Sequence, residues 1–156
     1  KKKTNQDSLI FFPEFMHIKD RHLFAVLDGH GPIGHEVSQY VKNNFPVILE
    51  KKLMKCKNIK SGLIDAIKEV SDNLNACSID TNFSGTTANF LLLNGNEMYS
   101  ANIGDSRSTL ISKKDDSNEL TSVDITVDHK PDDEFEKIRI EQNGGRVEAI
   151  LGLISF

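Results

Sequence analysis

The sequence predicts an α+β domain whose strands pair antiparallel, with helices inserted between hairpins. Three observations lead there. TTANFLLL and EMYSANIG flank Asn94-Gly95-Asn96, and Asn-Gly supplies the positive-φ residues of a type I′ turn. RSTLIS (107–112) and LTSVDITV (120–127) are strand-like runs joined by a polar connection. Helix-patterned stretches fall between these hairpin-connected strands, which favours α+β over a doubly wound parallel sheet.

Each element has its own signal. SLIFF (8–12) reads as a strand stopped by Pro13. HLFAVLD (22–28) is a continuous apolar run of strand length, which suggests burial on both faces. From Gly34 to Phe45, Val37, Tyr40, Val41 and Phe45 recur at helical spacing, and Pro46 is expected to break or restart the helix. Leu63, Ile67, Val70, Leu74 and Cys77 mark a second helix, with Ser61 as its N-cap. A third helix starts at PDDEFEKIRIEQNGG, with Pro131 near its first position and Asp132, Asp133 and Glu134 at the positive end of the dipole. Gly144 is its stop, and RVEAI (146–150) reads as one more strand.

With 156 residues the chain suits one domain with its own core. A hydrophobic content of 38% against 27% charged residues is that of an ordinary globular protein. The net charge of −4 argues against non-specific binding to nucleic acid or anionic membrane. There is no apolar run long enough to span a bilayer and no signal peptide, and the absence of an initiating Met points to an N-terminus further upstream. Cys56 and Cys77 form no CxxC and are expected to be free thiols in a reducing compartment.

Three aspartates share a context. Asp7 precedes a strand, Asp28 ends one, and Asp105 follows the second strand of the hairpin. Carboxylates at strand ends can converge at one edge of a sheet, where hard cations such as Mg²⁺ or Mn²⁺ find oxygen ligands. Gly29 lets the backbone approach closely, so its carbonyl could serve as a further ligand. His30 could donate a proton to a leaving oxygen. The blander readings stand beside this one: Asp28-Gly29 as a turn, Asp105-Ser106-Arg107 as a turn with a surface charge, and Asp7 as part of a solvated loop. Other chemistries fit worse. HEVSQ (35–39) lacks the second histidine of HExxH, SGTTA lacks the nucleophile-elbow glycines, and neither glycine-bearing stretch matches a nucleotide-binding fingerprint.

Taken in order, NQDS, FAVLDGHGPIGHEVSQYV, SGTTANFLLL, ANIGDSRS and TVDHKPDDEFEKIRIEQNGGRV resemble the metal-dependent serine/threonine phosphatases of the protein phosphatase 2C family, in the form found in plant and protist members. The resemblance spans residues 1–148 and implies a sandwich of two antiparallel β-sheets flanked by α-helices in αββα layers. It implies hydrolysis of phosphoserine and phosphothreonine on proteins by a hydroxide bridging two Mg²⁺ or Mn²⁺ ions, with a weaker third ion. Carried over residue by residue, Asp28 would bridge the two metals and Gly29 would lend its carbonyl oxygen. Asp7 would act through water, Asp105 would hold the third ion, and His30 would be the general acid. Thr86 and Thr87 would support the site, and DHKP (128–131) would fix a loop and the start of the next helix.

Some positions depart from the family pattern. Gln6 stands where many members place a metal-side Glu, which removes a charge but keeps an oxygen. Lys2 stands where a phosphate-binding Arg is expected, and it binds phosphate as a point charge without the bidentate fork. ILGLISF ends the chain before the family's later metal-binding aspartates, so residues 1–156 are expected to be one catalytic domain cut short at its C-terminal side. The alternative reading is a pseudophosphatase that binds a partner without turnover. The resemblance further implies phosphoprotein substrates and a monomer, while cysteine usage and the missing targeting signal suggest the cytoplasm or nucleus, and the charge balance and apolar runs suggest no nucleic-acid or membrane partner.

Overall fold

The computed structural model describes residues 4–56, 58–113 and 118–148. Four strands form the main antiparallel sheet: β1 (Ser8–Phe12), β2 (Arg21–Leu27), β5 (Ala88–Asn94) and β6 (Glu97–Ile103), in the order β1-β2-β5-β6. Two short strands, β3 (Gly29–His30) and β4 (Gly85–Thr86), pair with each other, as do β7 (Thr109–Lys113) and β8 (Leu120–Asp124). The helices are α1 (Gly34–Lys55), α2 (Ile59–Ala76) and α3 (Glu134–Gln142). The expected α+β class and antiparallel pairing are therefore present. Among the described residues they take the form of one four-stranded sheet with α1 and α2 on a single face, and two two-stranded ladders.

Alternation along the strands decides which side chains meet the helices. Ile10, Leu23, Ala25, Leu27, Ala88, Phe90 and Leu92 point to one face and join Val41, Phe45, Ile48 and Leu49 of α1 and Leu63, Ala66 and Val70 of α2 in one core. The Phe45 and Phe90 rings stack with centroids 3.9 Å apart. The opposite face carries Leu9, Phe11, Phe24 and Val26, and Phe11 and Val26 are 63% and 56% exposed. Among the described residues the apolar run of β2 is buried on one side, where its composition suggested both.

Several boundaries differ from the sequence reading, each for a local reason. Helix α1 runs straight through Pro46. Proline in a helix interior costs about 3 kcal/mol. Phe45, Ile48 and Leu49 next to it are buried, at about 1.5–3 kcal/mol each, which outweighs that cost. The α2 N-cap is Asn58, whose Oδ1 accepts from the Ser61 N–H at 3.0 Å, so the helix begins before Ser61. Helix α3 starts at Glu134 rather than at Pro131, because Asp133 caps it by accepting from the Phe135 and Glu136 N–H groups. Gly144, at φ +82°, ends α3 as expected, with the Gly145 N–H donating to the Ile140 carbonyl. Strands β5 and β6 close on the pair Asn94–Glu97. Gly95 is therefore the first central residue of the turn and has positive φ, while Asn96 does not. That is the pattern of type II′ rather than type I′. Residues 146–148 are not a strand, and the rest of RVEAI lies outside the described residues.

Candidate metal and acid site at the strand ends

The register of the sheet brings the acids together. β1 and β2 pair with Ser8 opposite Leu27. One residue further along that register, Asp7 faces Asp28, on the side of the sheet that carries Leu9 and Val26. Like charges directly opposite each other on neighbouring strands repel. The Asp7 carboxylate lies within hydrogen-bonding reach of Asp28. Partial burial, then the charge and hydrogen bond of Asp7, then the charge of Asp105 push the Asp28 carboxyl above its ordinary range. His30 pulls the other way.

The backbone around Asp28 is clamped by Thr87. The Asp28 N–H donates to Thr87 Oγ1 at 3.0 Å, and the Thr87 N–H donates to the Asp28 carbonyl at 2.9 Å. Gly29 then pairs with Thr86 and His30 with Gly85, in the register already set by β2 and β5. The Thr87 hydroxyl also shares a 2.6 Å hydrogen bond with Ser106 Oγ, beside Asp105. Buried Asn89 completes the support: its Nδ2 donates to Asn102 Oδ1 and the Ser106 carbonyl, and its Oδ1 accepts from Ser108 Oγ. One polar network thus holds the β2 end to the loop that bears Asp105. Thr87 takes the supporting role expected of it. Asn89, Asn102, Ser106 and Ser108 were missed; their only sequence signal is a run of small polar residues flanking apolar strands.

Gly29 is buried, and a Cβ there would collide with the backbone oxygens of Gly34 and Gln6. Here the absence of a side chain is a packing requirement. Gly31, at φ +84°, sits against the carbonyl of Phe83, where no other residue would fit. The half-buried ring of His30 lies on Gly85, whose Cβ, if present, would be 2.7 Å from His30 Nε2.

Gln6 has a use that the sequence did not suggest. Its Oε1 accepts from the His35 N–H at 3.1 Å, and its backbone carbonyl accepts from Ser38 Oγ at 2.6 Å. It caps the start of α1, which otherwise lacks a side-chain cap at Ile33. Asp7 and Asp105 are exposed and face solvent beside Asp28. Lys2 lies outside the described residues. DHKP forms a second charged cluster. Arg107 donates from Nε and NH2 to the two Asp128 oxygens at 2.9 and 3.0 Å, and Lys130 lies 3.3 Å from Asp128.

The donor set suits a hard divalent cation. Two facing carboxylates, a third acid in the field of Asp28 and a crowded glycine offer oxygen ligands, and among the described residues no lysine or arginine contributes to the field at Asp28. Among the described residues, no three His, Cys, Asp or Glu side chains stand close enough to form a preassembled cage. The arrangement is a paired carboxylate with outlying partners.

The fold and this edge together define a class: an antiparallel α+β protein whose sheet ends in carboxylates suited to a hard cation. The chain belongs to the protein phosphatase 2C family, whose profile it matches over residues 1–154. It is 37% identical over 163 residues to probable protein phosphatase 2C 3 of Paramecium tetraurelia, an alignment covering 94% of this chain and 50% of that protein. It is 33% identical to probable protein phosphatase 2C 35 of Arabidopsis thaliana, covering 93% of this chain and 41% of that one. The fold is similar to the crystal structure of a serine-threonine phosphatase 2C from Toxoplasma gondii, with a TM-score of 0.79 at 23% identity over 99% of this chain and 55% of that one. The chain spans about half the length of the curated relatives it matches.

Proposed function

We propose that this protein hydrolyses phosphoserine and phosphothreonine on proteins, with Mg²⁺ or Mn²⁺ ions held at the strand-end acids. The observation that carries the reading is the opposition of Asp7 and Asp28, with Asp105 in their field and His30 alongside. Asp28, Asp7 and the Gly29 carbonyl would hold the ions, and Asp105 would hold a weaker one. Bound divalent ions supply Lewis-acid stabilisation of phosphate charge and acidify coordinated water.

His30 donates a proton to the departing serine or threonine oxygen, whose alkoxide is too basic to leave unaided. Thr87 fixes the Asp28 backbone, and the Asn89 network fixes the Asp105 loop. Gln6 holds the start of α1 beside Gly29. Lys2 supplies a positive charge for the phosphate oxygens. Free Cys56 and Cys77 suit a reducing compartment such as the cytoplasm or nucleus.

The test uses the full-length protein and a phosphothreonine peptide. Phosphate release is expected to require added Mg²⁺ or Mn²⁺ and to stop with chelator. Undiminished release in chelator overturns the reading.

A further inference from the structure

We infer that Ser38 of α1 is a positioning residue for Asp7: its hydroxyl pins the chain on both sides of that carboxylate and keeps it opposite Asp28. The carboxylate matters through the metal binding proposed above, on which this reading rests.

The sheet itself creates the need for a restraint. The β1–β2 ladder stops at Ser8 opposite Leu27, so Asp7 lies one residue beyond its last pair. Like charges opposite each other there push the two chain ends apart. Asp7 is exposed, and its N–H donates to Asn5 Oδ1 at 3.0 Å, a bond local to an exposed stretch. Alternation along β1 turns Ser8 toward α1, on the face of Ile10, and turns Asp7 away from it. The helix can therefore hold Asp7 only through its neighbours.

Ser38 does this with one oxygen, and it is fully buried. Its Oγ lies 2.6 Å from the Gln6 carbonyl, 3.1 Å from Ser8 Oγ and 3.3 Å from the His35 carbonyl. A hydroxyl has one proton to give. The shortest contact takes it, so Ser38 donates to the Gln6 carbonyl and accepts from the Ser8 hydroxyl. The Gln6 carbonyl belongs to the peptide that precedes Asp7, and Ser8 follows it, so both flanks of Asp7 meet at one atom of α1. The first turn of the same helix also abuts the chain that carries Asp28. A Cβ on Gly34 would stand 2.7 Å from the Gly29 carbonyl carbon and 2.6 Å from Gln6 Oε1. Helix α1 thus spans the ends of β1 and β2 and sets the spacing of the two acids. A serine inside a helix is a poorer helix former than alanine, and its buried hydroxyl costs free energy unless bonded. What it contributes here is the pair of bonds that flank Asp7.

The experiment titrates Mn²⁺ alone into full-length protein by calorimetry. Ser38→Ala introduces the best helix former, so the fold should survive. It should raise the Mn²⁺ dissociation constant about 10–100-fold, the usual effect of removing a group that orients a metal ligand. Ser38→Thr, which keeps the hydroxyl, should return the constant toward the wild-type value. Ser8→Ala, which removes only the second bond, should give a smaller rise. In metal-free protein labelled for NMR, the Gln6 carbonyl ¹³C resonance should move in Ser38→Ala. A merely structural role would lower the melting temperature and leave the Mn²⁺ constant alone; that result, or Ser38→Thr as weak as Ser38→Ala, overturns the positioning. Wild-type protein that binds no Mn²⁺ overturns the phosphatase reading instead. The Gln6 carbonyl resonance then decides the hold on Asp7 by itself: movement supports it, and no movement overturns it.

Discussion

Two acid clusters share the loop after β6, through Asp105 in one and Arg107 in the other, and they are opposites. Asp128 is gripped at both oxygens by the Arg107 guanidinium and approached by Lys130. The Arg107 hydrogen bonds, assisted by Lys130, hold its carboxyl down to about 2. Asp28 faces Asp7 and lies in the field of Asp105, with His30 the one opposing charge among the described residues, and its carboxyl is pushed up. Among the described residues the fold brings Arg107 and Lys130 to one cluster and neither lysine nor arginine to the other. Acids satisfied internally stabilise a loop; acids left in mutual repulsion are set up to bind a cation from solution.

The largest effect expected from breaking this contrast is at Asp28. Asp28→Ala should lower phosphate release by on the order of 10⁴-fold, the scale of losing a central catalytic group. Its effect on metal-free stability should have the opposite sign. A carboxyl raised in the folded state penalises folding at pH values above its folded pKa, and the penalty disappears below the unfolded value of 3.8. The metal-free variant should therefore melt at or above the wild-type temperature at pH 7, with the gap closing as pH falls below about 4. Calorimetry at both pH values checks this, and a clear loss of metal-free stability at pH 7 would contradict the repulsion.

Next comes His30→Ala, expected to slow hydrolysis of a phosphothreonine peptide by on the order of 10²–10³. The loss should shrink with p-nitrophenyl phosphate, whose phenolate leaves without a proton. Equal losses on the two substrates would remove the general-acid role.

Thr87→Val probes the link between the two clusters. It keeps the shape and deletes the hydroxyl that serves Asp28 and Ser106. Leaving the Asp28 N–H without its partner should cost about 1–3 kcal/mol in denaturant unfolding and weaken Mn²⁺ binding measured by titration.

The smallest effect belongs to the satisfied cluster. Asp128 is depressed, so its contribution to stability is complete above its unfolded value of 3.8 and is lost as pH falls through its folded value of about 2. Arg107→Met should lower the melting temperature modestly at neutral pH, and the difference from wild type should vanish toward pH 2. Phosphate release at saturating metal should be nearly unchanged. A variant that loses activity while keeping its melting temperature would show that this cluster serves the chemistry after all.

The contrast also explains what could be read in the sequence. Elements with a local period were legible: β1, β2, the β5–β6 hairpin and α2 all announce themselves in their hydrophobic spacing. Asp28, Gly29 and His30 stood out because they interrupt an apolar strand with chemistry it does not need. Asp128 was placed in a structural motif, but its partner was hidden, since Arg107 lies in another segment and only the fold brings the two together. Gln6 was read as a weakened metal-side residue because it stands where many members of the resembled family place a Glu. Its bond to His35 depends on how α1 approaches β1, which no local pattern encodes. Pro46 misled for the same reason: the helix-breaking cost is local, and the burial that overcomes it is not. Asn58 and Ser61 are both good caps three residues apart, and the sequence offered no means of choosing between them.

The uncovered side of the main sheet has a practical consequence at the bench. Leu9, Phe11 and Val26 present oily side chains to water while every helix is intact. A dye that brightens on apolar surfaces will already fluoresce strongly with this stretch of chain before any heating. A melting curve read from such a dye would start high and rise little, so unfolding of this stretch is better followed by circular dichroism.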